Sequence, residues 1–256
     1  MDILRTKKRA FTLAEVLITL AVVGIVAAST IPAVVTKLTR QEYVTKLQKA
    51  HNTLSNAFRA AELEYGPAEF WSNADGKFVE KHFLSQLDIL TSCGLSASNG
   101  LCFGAVRNLN DNTDFIPIMM GPFLRQSSPT TGNAYRFITT DGIAYAYDNG
   151  ANAASNTMQS LRTNAHIVWV DVNGPKPPNV LGRDVFAFFI RAETSETSAH
   201  PMRGVFALGA VNINGNYISD SSVRDTNATY GCTRNSSASA GLYCAGKVLS
   251  EGGMNY

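Results

Sequence analysis

The 256-residue chain has little charge and no large excess of either sign. Charged residues make up 16% of it, and the formal net charge is +2. Four of the 22 basic residues and one of the 20 acidic residues lie in the first ten positions, which leaves 18 and 19 in the remainder. A body so close to neutrality gives no electrostatic basis for nucleic acid as the main partner. A hydrophobic content of 45% excludes a disordered chain.

The sequence also lacks the short motifs that mark common catalytic and cofactor sites. It contains no GxxxxGK[ST] phosphate loop, no GxSxG nucleophile turn and no HExxH zinc motif. Its four histidines are scattered without catalytic partners nearby in sequence: His51, His82, His166 and His200. We therefore expect a protein that is not an enzyme and that needs no organic cofactor.

One long uncharged stretch is present near the N-terminus. Residues 16–35 contain no charged side chain, and a helix of that length, at about 1.5 Å per residue, spans about 30 Å. Basic residues precede the stretch, so the positive-inside rule predicts a cytoplasmic N-terminus and a body outside the cytoplasm. A secretory signal would have a shorter apolar region and a small-residue cleavage site after it. The stretch therefore predicts a transmembrane helix that stays attached to the body.

The residues around this stretch read KKRAFTLAEVLITLAVVGIVAASTIP. A short basic leader precedes Phe11 and a Thr-Leu pair, an acid (Glu15) is the fifth residue counted from Phe11, and a proline (Pro32) is the twenty-second. In these features the chain resembles type IV pilins and type II secretion pseudopilins. An apolar helix does not by itself require an acid and a proline at those spacings. The motif is therefore specific for this family, although it covers only the N-terminus.

The resemblance implies that a prepilin peptidase cuts between Ala10 and Phe11 on the cytoplasmic side and then N-methylates Phe11. Most relatives have glycine where Ala10 stands, and alanine is a small replacement. The resemblance further implies that Glu15 of an incoming subunit pairs with the α-ammonium of Phe11 on a neighbour in a filament. An unpaired carboxylate at the bilayer edge is unfavourable, which gives this pairing a physical reason. The alternative is that Glu15 extends to the headgroups as an ordinary helix-end charge.

A single helix is predicted from Thr12 to Tyr65. Pro32 lies inside it and is expected to kink it, because proline removes one backbone hydrogen bond. After the membrane and assembly segment, at about 11–36, apolar residues recur at helical spacing and should pack on a globular domain. These residues are Leu47, Ala50, Leu54, Ala57, Phe58 and Ala61. The predicted organisation is a leader at 1–10, an N-terminal helix at 11–65 and a head at 66–256.

The head has the periodicity of strands. YRFITTDGIAYAYDN alternates apolar and polar residues around Asp141-Gly142 and predicts a hairpin, and HIVWVDV, DVFAFFIRA and RGVFALGAVNI predict further strands. KFVEKHFLSQLDIL predicts a short helix. The expected fold class is α+β, with the long N-terminal helix packed on an antiparallel β-sheet, as in pilins.

Four cysteines suit an extracytoplasmic head and allow three disulfide connectivities. Proximity favours two local bridges, Cys93–Cys102 and Cys232–Cys244, each of which closes a Gly- and Ser-rich loop with little core of its own. A metal site at the cysteines is disfavoured because the C-x2-C spacing is absent. Pilins often have a disulfide-closed C-terminal region, and the segment from Cys232 onward is similar to one.

Asp171, Asn173 and Asp184 are candidate calcium ligands, because they supply hard oxygen atoms and several pseudopilins bind calcium in a loop. The EF-hand pattern itself fails, since Pro175 and Gly182 stand where it needs ligands. The alternative is a strand connection with an Asn-Gly turn stiffened by prolines.

These patterns together predict a structural subunit of a type IV pilus or a type II secretion pseudopilus. Its partners would be other pilin or pseudopilin subunits, prepilin peptidase, the inner-membrane assembly machinery and the membrane itself. It would cross the inner membrane once, with the head extracytoplasmic, and then enter a pilus or periplasmic pseudopilus. Cleavage after residue 10 would leave 246 residues, a large size for a major subunit, which favours a minor pilin or a larger pseudopilin. The alternative is a monomeric membrane-anchored domain with an extracytoplasmic binding or hydrolytic role.

Overall fold

The structure is a computed structural model that describes residues 12–71, 78–95, 102–110, 118–120, 124–127, 134–148, 166–192, 202–213, 215–237 and 239–256. The chain divides into two compact units, Met1–Gln41 and Glu42–Tyr256. Helix α1, Leu13–Tyr65, contributes its first part to one unit and its second part to the other.

The second part of α1 is amphipathic, as predicted. Its buried residues are Tyr43, Val44, Leu47, Ala50, Leu54, Ala57, Phe58 and Ala61. Their spacing of three and four places them on one face of the helix. The helix ends at Tyr65 because Gly66 adopts a φ of +78° and Pro67 follows it.

Among its described residues, the head contains one six-stranded antiparallel sheet in the order β1-β4-β5-β6-β7-β8 and a separate antiparallel pair, β2-β3. The strands are β1 Ile89–Gly94, β2 Ile118–Met120, β3 Leu124–Ser127, β4 Ala134–Thr139, β5 Ala144–Asp148, β6 His166–Asp171, β7 Val185–Ala192 and β8 Arg203–Ala207. From β4 onward each strand pairs with the next one in sequence. The predicted α+β class, a long helix with an antiparallel sheet, is confirmed.

Strands β4 and β5 form the predicted hairpin, with Ile138 opposite Ala144. Gly142 has a φ of +80°, a conformation that favours glycine, and it lies at the turn. The Asp141 carboxylate accepts hydrogen bonds from the Thr139 hydroxyl and the Ile143 N–H. Lys49 Nζ on α1 lies 2.8 Å from Asp141 Oδ2, so an ion pair joins this turn to the second part of the helix.

The central strands of the sheet are buried on both faces. One face packs with the apolar stripe of α1 in a single cluster that includes Tyr145, Val168, Phe186 and Phe188. The other face is lined by Ala144, Ala146, Trp169, Ala187 and Phe189 and is covered by Phe103, Leu208, Leu242 and Tyr243, among others. Burial on both sides explains why β5, β6 and β7 are almost continuously apolar.

Two predicted elements differ in extent. KFVEKHFLSQLDIL is not one helix: α2 covers only Phe78–His82, a 3₁₀ turn covers Leu84–Gln86, and β1 begins at Ile89. The strand predicted for RGVFALGAVNI ends at Ala207. Gly209 has a φ of +102°, and the Val211 N–H donates to the Ala207 carbonyl, so the chain turns there.

The C-terminal region forms two helices that the sequence reading did not predict, α3 Ser221–Thr226 and α4 Cys244–Glu251. Arg224 and Lys247 join them through Asp225 and Glu251. Lys247 Nζ lies 2.8 Å from Asp225 Oδ2 and 2.8 Å from Glu251 Oε1, and Arg224 contacts the same two acids.

Candidate functional site at the start of helix α1

Thr12 and Glu15 cap the first turn of α1. The Glu15 N–H donates to Thr12 Oγ1 at 3.2 Å, while Glu15 Oε2 accepts from both the Thr12 N–H and the Thr12 hydroxyl at 2.8 Å. This reciprocal arrangement is a capping box, which satisfies N–H groups that a helix start otherwise leaves without partners. The carboxylate also lies at the end of the helix where negative charge is favoured.

The first part of α1 presents an apolar surface that is not buried. An 18-residue window of the helix has a mean hydropathy of 2.3, and none of that window is buried. Large exposed side chains include Leu17, Ile18, Leu20, Val23, Ile25 and Ile31. Length and composition therefore fit a membrane span, the environment in which such a surface is stable.

Pro32 lies inside α1, and the helix continues through it, as expected. Hydroxyl groups flank the proline and donate to carbonyls of their own helix. Ser29 and Thr30 both donate to the Val26 carbonyl, and Thr36 donates to the Pro32 carbonyl, each at 2.9 Å. These bonds remove free hydroxyl donors from an apolar surface. The kink itself stays a prediction.

The structure joins Cys93 to Cys102 and Cys232 to Cys244, the two local pairs that sequence proximity favours. We expected each bridge to close a loop with few buried residues, and this is wrong for the loop that Cys232–Cys244 closes. Cys244 is fully buried, and Leu242, Ala245 and Val248 beside it are fully buried as well. A β-carbon at Gly182 would lie 2.6 Å from Cys244 Sγ, so this bridge packs directly against the β6–β7 connection.

The three candidate calcium ligands lie together at that connection. Asp184 Oδ1 accepts from the Val180 N–H at 2.6 Å, and Asp184 Oδ2 accepts from the Asn179 N–H at 2.9 Å. Asn173 Nδ2 donates to Asp184 Oδ2 at 3.1 Å and to the Tyr43 hydroxyl on α1 at 3.3 Å. Asp171 Oδ1 accepts from the Asn173 N–H at 3.2 Å.

Both carboxylates in this cluster are fully buried. Burial, together with the charge of Asp184, raises the pKa of Asp171 to about 9. Burial also raises the pKa of Asp184, although the N–H groups of Val180 and Asn179 oppose the shift by stabilising the ionised form. Burial therefore disfavours ionisation of both carboxylates at the same time.

Calcium usually takes six to eight oxygen ligands. The cluster offers two carboxylates and one amide oxygen, Asn173 Oδ1, which is buried without a hydrogen-bond partner among the described residues. Further ligands would have to be backbone carbonyls or water. Within the described ranges no group of three or more His, Cys, Asp and Glu side chains is arranged to hold a metal. Calcium binding at Asp171, Asn173 and Asp184 stays a prediction.

Comparison with known families identifies the N-terminal segment. Residues 5–31 match the prokaryotic N-terminal methylation motif, the signal of type IV pilins and pseudopilins. The chain therefore carries the signal of a pilin-like precursor, which directs processing by prepilin peptidase and assembly with other pilin subunits. No curated protein and no solved structure matches the chain.

The predicted cleavage residues Ala10 and Phe11 fall within the matched motif, and both lie outside the described residues. Glu15 and Pro32 lie on one helix, and the calcium candidates and the cysteines lie in the head. Sequence reasoning missed Thr12 as a partner of Glu15. The signal was present, since Thr-x-x-Glu just before an apolar run is the pattern of a capping box.

Proposed function

We propose that the chain is a structural subunit of a type IV pilus or a type II secretion pseudopilus, polymerised through the first part of α1. The observation that supports this most strongly is Glu15, an acid within the matched methylation motif at the start of a helix whose apolar surface is unburied. The methylation motif explains why prepilin peptidase would process the chain. The unburied apolar surface of α1 explains why the chain would stay in the membrane before assembly.

Polymerisation follows from the chemistry at the new N-terminus. Cleavage before Phe11 creates an α-ammonium group, and Glu15 offers a carboxylate of opposite charge. In a low-dielectric environment two such groups attract each other far more strongly than in water. The apolar surfaces of neighbouring helices would then replace lipid around each subunit.

We propose a structural role and not an enzymatic one. The described histidines serve as packing groups: His166 Nδ1 lies 2.8 Å from the Tyr147 hydroxyl in a buried pair, and His82 stacks on Trp71 with ring centroids 4.4 Å apart. His51 stacks on Phe188. The proposed location is the inner membrane with an extracytoplasmic head, followed by incorporation into a pilus or periplasmic pseudopilus. The size of the chain favours a minor pilin or a larger pseudopilin.

The test replaces Glu15 by alanine in the full chain, expressed in its own host. Filaments are sheared from the cells, and the incorporated fraction is compared with the processed protein left in the membrane. Glu15→Ala should be cleaved and should accumulate in the membrane, since it removes an unfavourable charge from lipid, but it should incorporate poorly. Glu42→Ala is a matched control, because Glu42 is an exposed acid of the same helix outside the uncharged stretch.

Normal incorporation of Glu15→Ala would show that the carboxylate is an ordinary helix-end charge. If wild-type protein were processed yet never found in filaments or crosslinked to pilin subunits, the monomeric membrane-anchored alternative would be correct. Deletion of secretin-linked or pilus-linked assembly genes in the host would distinguish a pseudopilin from a pilin.

A further inference from the structure

We propose that Thr12 is a positioning residue for assembly, because it holds one carboxylate oxygen of Glu15 and leaves the other to receive the α-ammonium of a neighbouring subunit. This inference rests on the proposed function and adds a residue to the assembly site. The two carboxylate oxygens are not equivalent. Oε2 accepts both Thr12 hydrogen bonds at 2.8 Å, whereas Oε1 has no partner among the described residues.

The capping box fixes a side chain that would otherwise be flexible. A glutamate has three rotatable side-chain bonds, and immobilising such a side chain on binding reduces affinity. Thr12 imposes this order before docking, through two bonds to one oxygen. Both Thr12 groups donate to the carboxylate, which favours its ionised form and therefore its attraction for an ammonium group.

Processing does not disturb this arrangement. The proposed cut lies between residues 10 and 11, so the Thr12 nitrogen stays an amide N–H in the mature chain and still donates to Glu15. The new ammonium forms on the preceding residue, Phe11. The N-terminus of each subunit would therefore supply the ammonium group for a contact with one neighbour and the oriented carboxylate for a contact with another.

Other hydroxyls of the same segment behave differently. Thr19 Oγ1 donates to the Val16 carbonyl at 2.9 Å, and Thr36 Oγ1 donates to the Pro32 carbonyl at 2.9 Å. Both hydroxyls donate to backbone carbonyls of their own helix, and neither contacts a carboxylate. Thr19 therefore provides a matched control for the loss of a hydroxyl from this part of α1.

The experiment compares three substitutions in the full chain, expressed in its own host with active prepilin peptidase. Thr12→Val removes the hydroxyl but keeps the shape and the N–H, Thr12→Ser keeps the hydroxyl, and Thr19→Val removes a hydroxyl elsewhere. The mass of each membrane-extracted protein gives the cleaved amount, and incorporation into sheared filaments is divided by that amount. We expect Thr12→Val to lower this ratio about tenfold or more, the effect of losing one hydrogen bond to a charged group. Thr12→Ser and Thr19→Val should stay near wild type.

A double substitution separates positioning from a general effect on the helix. If Thr12 acts through Glu15, adding Thr12→Val to Glu15→Gln should lower incorporation no further than Glu15→Gln alone. An equal loss in both backgrounds would overturn the proposal, because Thr12 would then act independently of the carboxylate. Wild-type incorporation by Thr12→Val would also overturn it. If Glu15→Ala were defective in that case, the proposed function would stand without this refinement, whereas normal Glu15→Ala would refute both.

Discussion

Glu15 and Asp184 are both carboxylates that accept hydrogen bonds from their own chain, and their partners differ in a way that matches different roles. Asp184 is fully buried, and N–H groups from Asn179, Val180 and Asn173 occupy its two oxygens. Glu15 is held through one oxygen only. A saturated carboxylate stabilises a local structure, whereas one with an open oxygen can still bind another group.

At the N-terminus we expect the mature protein to start at Phe11 with a methylated amine. The matched methylation motif spans this position, and Ala10 is a small residue on the leader side of the cut. Intact-mass measurement of the protein extracted from the membranes of its own host would check both modifications. Retention of residues 1–10 in a host with an active prepilin peptidase would contradict the prediction.

At Asp225 we expect a contribution to stability that depends on pH. Hydrogen bonds and charge from Arg224, and then from Lys247, lower the pKa of Asp225. A carboxyl group with a lowered pKa in the folded state stabilises the fold above its unfolded pKa, and this contribution is lost as the pH falls through the folded value. Asp225→Asn should therefore lower the free energy of unfolding at neutral pH and cause a smaller loss in acid.

Urea unfolding of wild type and Asp225→Asn at about pH 7 and at about pH 3 measures this difference. High salt should also reduce the difference at neutral pH, because the ion pairs are partly exposed and ions screen them. A difference that is the same at both pH values would show that packing, and not charge, accounts for the effect.

For the calcium prediction, thermal unfolding with calcium and with a chelator is informative. If Asp171, Asn173 and Asp184 bind calcium, the ion should raise the melting temperature, and Asp184→Asn should abolish that rise. The rise should increase as the pH is raised from neutral toward 9, because the raised pKa of Asp171 lets a proton compete with the cation over that range. A melting temperature that is the same with calcium and chelator would argue for a hydrogen-bonded strand connection without a metal.

Among the elements, those with strong periodicity could be predicted from the sequence. The predictions of the apolar stripe of α1 and of its end at Tyr65 agree with the structure, because helical spacing and the Gly66-Pro67 pair that follows are local signals. The hairpin of β4 and β5 was also read correctly, since an Asp-Gly turn lies between two alternating segments. Strands β6 and β7 were recognisable as short apolar runs rich in β-branched and aromatic residues.

The elements that were missed depend on tertiary contacts. Helix α4 has only eight residues, and its start is a buried disulfide cysteine with no side-chain cap. The segment predicted as a helix includes the first two residues of strand β1, Ile89 and Leu90, and the rest of β1 was not predicted. The residues of β1 alternate weakly, and its pairing with β4 crosses more than 40 positions of sequence. In the candidate site, the spacing of Glu15 was visible in the sequence, but the choice of Oε2 as the held oxygen required coordinates.

The disulfide bridges give a prediction about elements. Non-reduced peptide mapping of the oxidised protein should recover Cys93 with Cys102 and Cys232 with Cys244. The second bridge lies against Gly182 and joins the loop after α3 to the start of α4, so it ties the C-terminal region to the core. A peptide that linked Cys93 or Cys102 to either C-terminal cysteine would contradict this arrangement.

For the whole molecule, we expect removal of residues 1–38 to leave a soluble, folded monomer. The deletion removes the exposed apolar surface of α1 but keeps the buried stripe that begins at Tyr43, and the compact unit of the head begins at Glu42. Gel filtration and near-UV circular dichroism under oxidising conditions would check the prediction. An unfolded or aggregated product would mean that the head depends on the deleted segment for its stability.

Each described strand from β4 to β8 pairs with the next described strand in sequence, and this order has a consequence for how the head folds. If the head is exported as proposed, a chain anchored at its N-terminus would deliver it across the membrane in sequence order, with the C-terminus last. In a meander, each new strand meets a partner that has already emerged, so the sheet can grow during translocation without waiting for distant segments. In that order the apolar stripe of α1 would leave the membrane before the strands, so the growing sheet could pack against it. Under that proposal the head can fold while it is being exported, with the C-terminal disulfide closing last.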